Sequence, residues 1–134
     1  MYLTELRKFA LALRVSLMFE TQDGERQEVF GMLAENPVFR DEKLRERLRL
    51  AAENQDFPYL YREEFGVYFA CIRAADGFYY LGPMSANQLS YSARQRFFHL
   101  HSIPDDDVPH LRTFSVQEIL YIVELAAQLL TGKT

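Results

Sequence analysis

Residues 67 to 72, Val-Tyr-Phe-Ala-Cys-Ile, are apolar at every position and are followed by a turn signal, Ala75-Asp76-Gly77. A strand that faces water on one side alternates apolar with polar residues. An unbroken apolar run of this length implies a strand covered on both faces, near the middle of a sheet. The chain around it must supply the neighbouring strands and the cover.

The flanking sequence offers both. Strands are expected near 59 to 64, 66 to 74 and 77 to 82, with Gly82-Pro83 as the stop. Residues 15 to 30 read as a hairpin turning at Asp23-Gly24. Leu3, Leu6, Phe9, Ala10 and Leu13 recur at helical spacing, which predicts a helix over 2 to 13 with Thr4 as a cap. Asn36-Pro37 reads as a break. Asp41 caps a helix of about twelve residues with Leu44, Leu48 and Ala51 or Ala52 inward. A further helix is expected over 86 to 100, with Leu89, Ala93, Phe97 and Leu100 in register. A loop held by Pro104 and Pro109 then leads to a last helix from Ser115, whose Glu118 completes a capping box and whose stop is Gly132. The expected fold class is α+β: one antiparallel sheet with flanking helices, set on one side of it. That is the arrangement of PAS-like or GAF-like sensor domains, in a single domain over residues 1–134.

Composition agrees with one self-sufficient domain. Of 134 residues, 49% are apolar and 14% aromatic, enough to fill a core without a metal or disulfide. A formal net charge of -4 lacks the basic excess that phosphate binding draws on, so these residues are not expected to grip DNA themselves. The lone Cys71 allows no internal disulfide and no zinc spacing. No basic leader precedes an unbroken apolar stretch, and no apolar run reaches the roughly 20 residues that span a bilayer. The expected location is the cytoplasm, with no membrane contact.

The last helix carries the clearest statement about partners. Ile119, Ala126, Leu130, Val123, Val116, Ala127 and Leu120 form one stripe, which Ile122, Leu125 and Leu129 widen to roughly 220°. A helix that apolar buries two faces. One can lie on the sheet. The other either packs on the first helix or forms a homodimer interface, with Ile122, Leu125 and Leu129 as the expected contact residues.

A search for chemistry returns little. LTGKT at 130 to 134 ends a helix and has Ala127 where a phosphate loop needs its first glycine. His99 and His101 point apart on a helix and read as solvated or capping. Cys71 reads as buried and inert, Asp105 to Asp107 as a solvated loop, and Lys43, Arg45, Arg47 and Arg49 as a solvated face. No catalytic residue, metal site or cofactor is expected, and an enzyme would need a nucleophile and base that the sequence does not display. The aromatics from Phe57 to Tyr80 either fill the core or line a small-molecule pocket, with Tyr61, Tyr68 and Tyr80 as its expected lining.

Several stretches, in order, are similar to a known group. They are the early helix, the VSLMFETQDGE hairpin, Asn36-Pro37 before a charged helix, Phe65-Gly66-Val67-Tyr68, Tyr80-Leu81-Gly82-Pro83, His101-Ser102-Ile103-Pro104 and the ending Leu129-Leu130-Thr131-Gly132-Lys133. Together they resemble the N-terminal regulatory region of AraC/XylS-type transcription regulators of Gram-positive bacteria, including regulators of YSIRK-targeted surface antigens. The resemblance implies a signal-receiving, dimer-forming module with an unknown small-molecule effector. It also implies a DNA-binding domain of two helix-turn-helix units beyond residue 134. It carries over no ligand residue. An alternative is a stand-alone protein-interaction adaptor that uses the same last helix without a pocket.

Overall fold

The computed structural model describes residues 2–33, 36–103 and 108–132. Pro104 and Asp105 to Asp107, like Lys133 and Thr134, fall outside them, so the expectations placed there are not addressed.

Five strands make one antiparallel sheet: β1 (Leu17–Thr21), β2 (Arg26–Phe30), β3 (Tyr59–Arg62), β4 (Val67–Ala74) and β5 (Gly77–Ser85), in the order β2-β1-β5-β4-β3. The first hairpin turns where expected, through a Gly24 with φ of 92°. The run Val67–Ile72 is buried at all six positions. Its even-numbered side chains enter one core cluster and its odd-numbered ones another, on opposite faces of the sheet.

Helices cover both faces rather than one. Helix α1 (Tyr2–Leu13) and helix α5 (Val116–Thr131) lie over one face, with Leu6, Ala10, Ile119, Val123 and Ala126 packed against Leu17, Ala70, Ile72 and Leu81. The short helix α2 (Pro37–Arg40), α3 (Glu42–Glu53) and α4 (Tyr91–Leu100) cover the other, where Val38, Leu48, Phe97 and Phe98 meet Met18, Phe69, Cys71 and Tyr80. The physical reason is already present in β4: a strand apolar on both sides cannot leave either side to water. The architecture is α+β with flanking helices, consistent with the PAS-like or GAF-like expectation. No helix among the described residues is long and apolar enough to cross a membrane.

Local differences have local causes. Thr4 does not cap α1, which already runs from Tyr2. Gly82-Pro83 does not stop the sheet. The register shifts there, Tyr68 pairing with Met84 and Ala70 with Leu81, so β5 carries an extra residue at a bulge. A proline, with no N–H for the ladder, is tolerated at a bulge. Asn36-Pro37 is less a break than a start. Asn36 accepts from the Val38 N–H at 2.9 Å and donates to the Gly82 carbonyl at 3.1 Å, fixing α2 to β5. Helix α4 begins at Tyr91 instead of 86, because Ser90 caps it through the Ala93 N–H, and Leu100 points outward. Asp41, the Ser115–Glu118 capping box and a left-handed Gly132 bound α3 and α5 as expected.

Candidate functional site

The three expected pocket tyrosines do not converge. Tyr61 and Tyr80 face the α3 side of the sheet, and Tyr68 faces α1 and α5. The odd residue of the three is set by the two-residue period of a strand. Tyr80 is buried and donates its hydroxyl to Glu20 Oε1 at 2.7 Å. Arg49 and Arg45 approach the same carboxylate at 3.5 and 3.8 Å. Burial pushes the Tyr80 phenol up, and the neighbouring Cys71 and Glu20 add to the effect, so it stays protonated. Tyr61, on the edge strand, accepts a hydrogen bond from Arg47 Nη1 at 2.8 Å. Both roles are structural and lie on the α3 face, while Tyr68 is buried in the core of the other face.

The other expectations sort similarly. Cys71 is fully buried, and burial raises its thiol well above the ordinary value, which leaves no thiolate to react. The basic run on α3 is not a uniformly solvated face. Arg45 is buried and donates to the carbonyls of Val38 and Phe39 at 2.7 and 2.8 Å, tying α2 to α3. His99 is exposed, as one expected reading had it, and His101 caps the C-terminal end of α4, as the other had it, but its ring is buried between two carboxylates instead of being solvated.

A cleft of about 430 Å³ opens between α5 and the strands β3, at the sheet edge, and β4 beside it. Leu60 and Ile72 form its floor, Leu120, Val123 and Ala127 of α5 one wall, and Phe57-Pro58 the opposite lip. Glu124, Gln128, Gln55 and Arg73 add a polar rim. An apolar floor with a few polar groups, at this size, is the usual form of a small-molecule site. A larger depression of about 980 Å³ adjoins it, sharing Asp56, Arg73 and Thr131. That depression is ringed by charges such as Arg49, Glu53 and Asp56, and Arg73 is already paired with Asp56 at 3.1 Å. The smaller, drier cleft is the better candidate.

Sequence reasoning missed this cleft because it looked for hydroxyls on the sheet. The available signal was Phe57 beside Pro58 in the α3–β3 connection, an aromatic in a turn that proves to be 69% exposed.

The expected contact residues of α5 divide. Ile122 is in the core, 5% exposed, packed with the α1 side of the cluster, and is not available to a partner. Leu125 and Leu129 are 49% and 40% exposed, beside an exposed Tyr121. The helix is thus wider in apolar character than the sheet and α1 together can cover. One flank borders the cleft through Leu120, Glu124 and Ala127. The other offers Leu125 and Leu129 to solvent. Comparison with protein-family models, with curated proteins and with solved structures returns no match for this chain.

Proposed function

We propose that this domain is the ligand-sensing and self-associating part of a cytoplasmic transcription regulator whose helix-turn-helix domain follows Thr134. One observation carries the mechanism: a single helix, α5, walls the apolar cleft with one flank and exposes Leu125 and Leu129 on another. A small, mainly apolar effector seated on Leu60 and Ile72 would press on Leu120, Val123 and Ala127 and so on the helix that meets the partner. It shifts the balance between two settings of α5 only by its difference in affinity for them.

The occupant of the exposed flank is a second copy of the chain. The neighbouring α1 exposes Leu11, and the same flank of α5 exposes Leu125 and Leu129. A two-fold pairing sets α1 of one copy on α5 of the other, leucine against leucine.

The test is a screen of small apolar compounds against the domain and its Leu120→Trp variant, whose indole fills the cleft. A genuine effector shifts the amide signals of Leu60, Ile72 and Ala127, loses its binding in the variant, and changes the dimer dissociation constant. Compounds that bind elsewhere, or bind the cleft and leave association untouched, refute the coupling. If the chain self-associates and no compound enters the cleft, the adaptor reading replaces this one. The regulator assignment is tested separately by reading the native frame past Thr134 for two helix-turn-helix patterns.

A further inference from the structure

The sheet has two outer strands, β2 and β3, and β3 runs beside the apolar cleft. The hairpins fix which main-chain groups of each strand face outward. The Glu63 N–H donates to the Val67 carbonyl at 2.8 Å, so it faces β4. Successive residues of a strand turn their N–H and C=O to alternate sides. With Tyr61 opposite Phe69 and Arg62 opposite Tyr68, Tyr59 and Tyr61 also face β4, and Leu60 and Arg62 face away from it. No strand pairs with that outer side among the described residues. The chain just before it is closed, because Gln55 Nε2 donates to the carbonyls of Phe57 and Pro58 at 2.9 Å each.

The other edge is guarded. The same alternation, counted from the Thr21 N–H bond to the Glu25 carbonyl at 2.8 Å, turns Arg26 and Glu28 of β2 outward. Exposed charges of this kind blunt an edge against further pairing. At the matching place β3 has Leu60, whose side chain forms part of the cleft floor. A residue set opposite Leu60 on an added strand shares its face, about 4.8 Å farther out. Its side chain would stand at the mouth of the cleft, which the exposed Phe57 and Leu120 border. A residue opposite the exposed Arg62 would meet a positive charge on the same face. On the other face, the Tyr59 and Tyr61 rings stack at 6.5 Å between centroids and offer an aromatic surface to the residue in between.

We propose that β3 takes up an extended peptide segment of a partner protein as a sixth, antiparallel strand, with an apolar residue opposite Leu60 and an acidic residue opposite Arg62. Read from its N-terminus, the segment is acidic, then any residue, then apolar. The main-chain groups of Leu60 and Arg62 supply the pairing, and the cleft and Arg62 supply the selectivity. The inference rests on the cleft reading above and names the class of effector, an apolar side chain carried on a peptide main chain.

The experiment is an NMR titration of the full chain with acetyl-Thr-Glu-Val-Leu-Thr-amide. The expected result is saturable shifts at the amides of Leu60, Tyr61 and Arg62, slowed exchange of the Leu60 and Arg62 N–H protons, and no change at Gln27 or Glu28 on the opposite edge. Methylating the peptide's leucine nitrogen removes the donor to the Leu60 carbonyl and weakens binding about tenfold. Methylating its valine nitrogen, which points away from β3, leaves the affinity within about twofold. Lysine in place of the glutamate weakens binding about threefold, and Arg62→Glu, at an exposed position, reverses that preference. No saturable shift, equal affinity for the leucine-methylated peptide, or an unchanged preference in Arg62→Glu overturns the proposal. If free apolar compounds shift Ile72 and Ala127 while the peptide leaves β3 unprotected, the added strand is wrong and the cleft reading stands. If neither enters the cleft, both are wrong.

Discussion

Burial alone would keep the His101 ring neutral, yet the hydrogen bonds and charges of Glu63 and Asp41 outweigh it and raise its pKa above the ordinary 6.5. The sign of the linkage follows. The ring's contribution to stability is fully present below about pH 6.5 and is lost as pH rises through the higher folded value. Asp41 works in the other direction. Burial raises its pKa, but the bond to His101 and the Leu44 N–H together lower it below 3.8. Its contribution is present above that value and is lost on acidification. Chemical denaturation across pH should show stability falling as pH rises beyond about 6.5. In His101→Gln that fall should be absent, and the variant should be less stable at pH 6 by about 3 kcal/mol, since a buried carboxylate loses its charged partner. A His101→Gln protein with the parental pH profile would show that the ring is not the group titrating. Little of this was legible in the sequence. The His-x-His spacing said only that the two rings part, and nothing local announces that Asp41, Glu63 and His101 will meet.

Element boundaries were legible where the signal is contained in a few consecutive residues. Asp41, Ser115 with Glu118, and Gly132 bound their helices because a cap satisfies N–H or C=O groups within its own turn. Ser115→Ala should cost about 1 kcal/mol in urea unfolding. No measurable loss would mean that α5 is held by its packing alone. Boundaries set from afar were not legible. The start of α2 depends on Asn36 reaching Gly82, 46 residues away, and the passage of β5 through Pro83 depends on a bulge against β4. Gly77 belongs to this second kind. Its φ is +151°, and a Cβ there would sit 2.3 Å from the Glu20 carbonyl oxygen of the paired strand. Gly77→Ala should therefore destabilise by about 2 kcal/mol or more. A neutral effect would mean that β1 and β5 can part at that end of the sheet.

At the scale of the molecule, the both-sided burial of Val67–Ile72 contained more than was drawn from it. It placed β4 inside the sheet, and it also required cover on two faces, against the expectation of helices on one. The width of the α5 stripe was legible as an excess of apolar surface. How that excess divides among core, cleft and solvent was not, because it depends on where α1 and the Phe57-Pro58 lip come to rest. The division makes a paired prediction. Ile122→Ala should cost about 3 kcal/mol, as a core truncation does. Leu125→Glu should leave thermal stability within about 0.5 kcal/mol at concentrations where the chain is monomeric.

In the proposed dimer, the exposed flank of α5 is where two copies meet. Sedimentation velocity over a series of micromolar concentrations, on the parent chain and on the Leu125→Glu/Leu129→Glu double variant, addresses it most directly. The parent should move from monomer to dimer with concentration, and the folded double variant should stay monomeric throughout. A parent that remains monomeric at the highest concentration, or a double variant that dimerises as the parent does, would contradict it.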